Sequence, residues 1–177
     1  MKFEYLHAMK ITSRALRDLV RESLDKNRIL KERPWSVEYT FKMSGGTAED
    51  SEGQGPDGFF VTLKGESGKE VRVVVDAYWN PQSGDQSGNS LRIESDDTEE
   101  MSSYVPHRFD DGKEQRLIIS NSPVSGIIAV SLAAAESPPV TYLVFPNPFD
   151  EDEDVDFNPD NLGNGTVDVK LKSYVNM

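Results

Sequence analysis

Up to Leu30 the apolar residues recur every three or four positions; after Trp35 they alternate with polar ones. In the first stretch, Leu16, Leu19, Val20, Leu24 and Leu30 fall close to one face of a 3.6-residue period, which predicts an amphipathic helix. Thr12 and Ser13 can cap its start, and Pro34 ends it by disfavouring helical geometry in the residue before it. The stripe fits a helix packed on a sheet edge, or a docking helix that lays its leucines in another protein's groove.

Beyond Trp35 the period becomes two. Val37, Tyr39, Phe41 and Met43 share one face of a predicted strand, with Glu38, Thr40 and Lys42 on the other. The run from Phe59 to Trp79 reads as a hairpin turning at "GESGK", and "LRIES", "RLIIS", "VSGIIAVSLAAAE", "VTYLVF" and "TVDVKLKSYV" supply further strands. Residues 96–115 show no clear period. The strands at 124–136 and 140–145 are apolar on both faces and are expected in central positions. Loops 44–58 and 80–90 hold mostly Gly, Ser and polar or acidic residues, and are expected to be mobile. Strands are not separated by helices, so a doubly wound parallel sheet is disfavoured. The expectation is an all-β fold: an antiparallel β-sandwich or rolled barrel of about seven or eight strands. It comprises residues 35–177, preceded by a helical arm over residues 1–34.

Charge sharpens that division. Of the net charge of −12, residues 1–34 contribute +4, from nine Lys/Arg against five Asp/Glu. Residues 35–177 contribute −16, from ten Lys/Arg against 26 Asp/Glu. A basic arm therefore leads an acidic body, which disfavours nucleic-acid binding by the body and marks the arm for interaction. The absence of cysteine excludes disulfides, thiolate catalysis and zinc–thiolate sites. The first 24 residues lack an apolar signal core, and the longest apolar run, Gly126 to Ala135, is half of a bilayer-spanning helix. No membrane partner is expected, and synthesis is expected in the cytoplasm.

One stretch looks chemical: "FDEDEDVDFNPD", with seven carboxylates between Asp150 and Asp160. An EF-type calcium loop needs oxygens at positions 1, 3 and 5, Gly at 6 and a bidentate acid at 12. Starting at Asp156 puts Asn161 at the glycine position and Val167 at the bidentate one; starting at Asp160 puts Leu162 and Leu171 on ligand positions. Neither register closes. A looser calcium site between Asp154, Asp156, Asn158 and Asp160 is the alternative to a solvated acidic connection that meets a basic surface. The two histidines, His7 and His107, lie in segments with no triad geometry legible in them. No phosphate loop is present, and no catalytic residue, metal or cofactor is assigned.

The leader "MKITSRALRDLVRESL", Met9 to Leu24, resembles the leaders of proteins of large tailed bacteriophages, through Leu16-Arg17, Leu19-Val20 and Arg21-Glu22. It is preceded here by eight residues. The resemblance implies a virion or phage-encoded accessory protein, made in a host cell, and no catalytic residues. The expected function is non-enzymatic: a structural or interaction protein of a virion (capsid, decoration, neck or tail), anchored by its N-terminal helix within a larger assembly. The expected partner-binding residues are Leu16, Leu19, Val20 and Leu24, with Arg17 and Arg21 beside them. The alternatives are an acidic inhibitor that binds a basic host protein and a calcium-dependent binding domain.

Overall fold

The computed structural model describes residues 34–44, 57–78, 89–95, 101–106, 108–109, 111–122, 125–150, 153–163 and 165–176. The N-terminal arm with Leu16, Arg17, Leu19, Val20, Arg21 and Leu24 lies outside the described residues. So do His7, His107 and most of the loops at 44–58 and 80–90.

Ten strands are described: β1 (Trp35–Ser44), β2 (Phe59–Gly65), β3 (Glu70–Asp76), β4 (Ser90–Glu94), β5 (Met101–Tyr104), β6 (Gln115–Ser122), β7 (Ile127–Ala134), β8 (Val140–Pro146), β9 (Val155–Asn161) and β10 (Thr166–Asn176). They form two five-stranded sheets, ordered β10-β1-β6-β7-β8 and β5-β4-β3-β2-β9. Every pairing is antiparallel. The fold is therefore an all-β sandwich of two separate sheets, not a rolled barrel.

Alternation decides which faces meet. In β1, Val37, Tyr39, Phe41 and Met43 are buried while the residues between them are not. Phe59, Val61 and Leu63 of β2 and Val71, Val73 and Val75 of β3 face them from the other sheet, in one continuous core. Burying each such side chain contributes about 1.5–3 kcal/mol, which is what drives the two sheets together. Phe41 lies at the centre, its ring 5.0 Å from that of Phe59 and 6.2 Å from that of Phe109. Phe109 comes from the stretch without visible period. It is seated by its own N–H, which donates to Asn89 Oδ1 at 2.9 Å, and it is fully buried.

Three expectations need correction. Ten strands are described where seven or eight were expected, because β5 and β9 carry no obvious strand composition. β8 is an edge strand and not a central one. Its inner residues Leu143 and Phe145 are buried, but Val144 on the other face is 44% exposed, and Val140 at the start of the strand is 51% exposed. Valine there reflects the ease with which β-branched side chains fit a pleated surface, not burial. Finally, the second half of the acidic stretch is not a loop but β9, paired along its length with β2, with Asp156, Asn158 and Asp160 still exposed to solvent.

Candidate functional site

The acidic stretch is anchored before it becomes a strand. Phe149 is buried in the core and Val155 nearly so. Between them, the Glu153 carboxylate reaches the β2–β3 turn. Its Oε1 accepts the Ser67 N–H, and its Oε2 accepts the Asp150 N–H at 2.9 Å. Lys69 Nζ stands 3.1 Å from Asp150 Oδ1, an exposed pair worth at most about 1 kcal/mol. Gly65 leaves room for this carboxylate: a Cβ there would run into the Glu153 head group and push it aside.

Partial burial works to raise the Glu153 carboxyl, but the hydrogen bonds from Ser67 and Asp150 and the nearby Lys69 charge outweigh it, holding the group below its ordinary value. A depressed carboxyl stabilises the fold above the unfolded value, about 4.3, and that contribution is lost as pH falls through the folded value. Glu153→Gln keeps one acceptor and loses the charge. It should cost about 1 kcal/mol at pH 7, and its melting curve should converge with that of the parent once pH has fallen below the depressed value of the folded carboxyl. A difference that persists unchanged into acid would disprove the ionised role.

β9 then alternates. Phe157 turns toward the core, while Asp156, Asn158 and Asp160 stand exposed on the other face. Successive residues on one strand face are about 7 Å apart, whereas calcium holds its oxygens at about 2.3–2.6 Å. The four candidate ligands are thus spread along a strand and its approach. Among the described residues, no group of three or more acids or histidines is placed to share an ion.

Phe157 leads instead to a cleft of about 450 Å³ between the edges of β9 and β10. β1 contributes Val37 and Tyr39, β9 contributes Val155 and Phe157, and β10 contributes Leu171 and Tyr174. Asp154 and Asp156 complete the lining. The Phe157 ring packs edge-on against Trp35 at 4.9 Å and tilts against Tyr174 at 5.7 Å. Tyr39 bridges the two sheets by donating its hydroxyl to the Phe157 carbonyl at 3.4 Å. Burial pushes the Tyr39 phenol up to about 12, so it stays protonated at neutral pH and cannot act there as a base. The cleft thus offers hydrocarbon and aromatic surface with two carboxylates, a volume within the ~300–1,000 Å³ range of binding clefts.

A register shift opposite Glu38 and Tyr39 shapes this site. Tyr39 pairs with Leu171 but Glu38 with Ser173, leaving Lys172 as the extra residue. The bulge keeps Tyr174 on the same face as Leu171, three positions away. It also aims Lys172 outward, where Glu38 Oε1 accepts from its ammonium and from Arg116 Nη1, each at 3.1 Å. Partial burial would raise the Glu38 carboxyl, but these two cations together hold it below its ordinary value.

No family model matches the chain, and no curated protein is significantly similar to it. Solved structures resemble it, two of them as follows. One is a functionally unknown protein from Saccharomyces cerevisiae, at TM-score 0.51 and 8% identity, over 82% of this chain and 70% of that one. The other is peanut lectin with a nine-residue peptide, at TM-score 0.55 and 16% identity, over 80% and 69%. The likeness is one of fold. At these identities it carries the two-sheet architecture and no binding residue.

Of the residues singled out in the sequence, the structure brings Asp154 and Asp156 to the cleft and leaves Asn158 and Asp160 out of its lining. In the sequence Val37, Tyr39, Leu171 and Tyr174 read as strand residues and Phe157 falls in the acidic stretch, with no cleft in view. The one signal available was in β10, where the period of two breaks at Lys172-Ser173 and Tyr174 and Val175 follow as adjacent apolar residues.

Proposed function

We propose that this chain is a non-enzymatic structural or interaction protein of a larger assembly, in which residues 1–34 anchor and the acidic sandwich receives or faces outward. The observation that supports it is the cleft between β9 and β10. Its walls are apolar and aromatic, and Leu171 and Tyr174 remain 59% and 46% exposed there. Exposed apolar surface of this kind, set in a body of net charge −16, is surface suited to a protein partner. At the floor of the cleft the Tyr39 hydroxyl donates to the Phe157 carbonyl, tying the two sheets together there. The resemblance of the leader to those of tailed-phage proteins directs this reading to a virion component.

Velocity sedimentation of the tagged full chain, in extracts of the cell that makes it, tests the reading. The parent protein should travel in a large particle. The double substitution Leu16→Asp, Leu19→Asp should return it to the speed of a free monomer with an unchanged β-sheet circular dichroism spectrum. Parent protein that sediments as a free monomer, or a double variant that unfolds, would overturn the anchoring role.

A further inference from the structure

Four strand edges bound the two sheets, and three carry features that discourage further pairing. β5 is only four residues long. β8 starts directly after Pro138-Pro139 and ends at Pro146. β9 contains Pro159, which has no N–H to donate. β10 differs. It runs for 11 residues without proline, and among the described residues no strand pairs with one of its sides. Its lysines are occupied: Lys170 meets Asp168 at 2.8 Å and Lys172 meets Glu38 at 3.1 Å. This open edge borders the apolar cleft.

Resting on the reading proposed above, we infer that the cleft between β9 and β10 receives residues 9–33 of a second copy of this chain. The match is chemical. The stripe of Leu16, Leu19, Val20 and Leu24 supplies apolar side chains for a floor of Phe157, Leu171 and Tyr174. Arg17 and Arg21, interleaved with the stripe, supply cations for Asp154 and Asp156. The wider field agrees, since residues 1–34 carry +4 and the remainder −16, so approach of one copy's arm to another's body is favoured at long range.

The join between arm and body favours exchange over self-docking. Trp35 is already committed to β1: it pairs with Asn176, and its N–H donates to Asn121 Oδ1. Pro34 biases Arg33 away from helical geometry and toward an extended one. Upstream, "RILKER" (Arg28 to Arg33) contains none of Gly, Pro, Asn, Asp or Ser, the residues that reverse a chain. The sequence before β1 thus holds no local signal for a reversal that would lay the segment back along its own β10. Each copy then gives one segment and receives another, which joins copies into a closed pair, a ring or an open chain.

The absence of cysteine makes the test direct. Two full-length variants, Leu19→Cys and Tyr174→Cys, are mixed and treated with a short bis-maleimide. Tyr174 is 46% exposed, so its replacement leaves the core intact. A cross-linked dimer should form in the mixture and in neither variant alone. Adding Leu171→Asp to the Tyr174→Cys chain should lower its yield about tenfold, because a charge then faces the leucine stripe. A monomer cross-linked within itself, formed by the double variant Leu19→Cys, Tyr174→Cys at high dilution, would overturn the inference in favour of self-docking. No cross-link at any concentration would overturn the cleft as receptor. If the parent chain still sediments in a particle, only this inference fails; if it does not, the anchoring role falls as well.

Discussion

Phe41→Ala should destabilise the protein by about 3–5 kcal/mol, read as a lowered midpoint in urea unfolding. Phe41 is 1% exposed and is held by three separate parts of the chain. Its own strand β1 sits inside the first sheet, the Phe59 ring belongs to the second sheet, and Phe109 comes from the segment that closes one end of the sandwich. Deleting the ring leaves a cavity where these parts meet, and β1 and β2 cannot close on it without breaking their ladders. Against a typical total of about 5–15 kcal/mol, the loss would remove a large share of stability. Phe60, one residue from Phe59 but on the outer face beneath the Arg72 guanidinium at 5.2 Å, is the control. Phe60→Ala should cost clearly less. A loss under about 1.5 kcal/mol at Phe41 would show that the two sheets do not depend on this contact.

Gly58→Ala should be comparably damaging, at about 3–5 kcal/mol, for a reason of backbone and not of packing volume. Gly58 has φ of 99°, where side chains are strained by about 1–3 kcal/mol. An added Cβ would also lie 2.0 Å from the Val75 carbonyl oxygen. That oxygen belongs to β3, which pairs with β2 immediately after Gly58, so relief requires the β2–β3 ladder to shift. The Gly58 carbonyl also accepts from the Leu162 N–H at 3.1 Å, tying the end of β9 to the same point. Gly68 separates the two effects. Its φ is 87°, yet an added Cβ would meet nothing within 4 Å. Gly68→Ala should therefore cost only the conformational part, about 1–2 kcal/mol. Equal losses at the two glycines, measured by thermal unfolding, would rule out the close approach to Val75 as the cause.

The strands were legible from the sequence where burial is one-sided. β1, with Val37, Tyr39, Phe41 and Met43 at every second position, can bury them only as a strand, and the same holds for Val71, Val73 and Val75 in β3. A chain of such strands without helices between them leaves few architectures besides two packed antiparallel sheets. The leucine stripe of Leu16, Leu19, Val20 and Leu24, and the opposed charges of arm and body, are likewise properties of local order alone. β9 escaped because its acidic composition masked its period: Val155 and Phe157 do alternate with Asp156 and Asn158, but carboxylates at that density resemble a solvated loop. Its strand state comes from β2, which supplies the ladder from Gly65 to Phe59. Strand order was beyond local reading too. The apolar faces of β8 say nothing about whether a neighbour lies beyond it, and it proved to be an edge. The cleft needed tertiary structure most. Val37, Tyr39, Phe157, Leu171 and Tyr174 come from three strands in two sheets, and they meet only because β9 and β10 end their sheets on the same side of the sandwich. Side-chain periodicity encodes which face of a strand is buried; which strands lie next to one another is decided by long-range pairing, and that is what placed an apolar cleft beside an open edge.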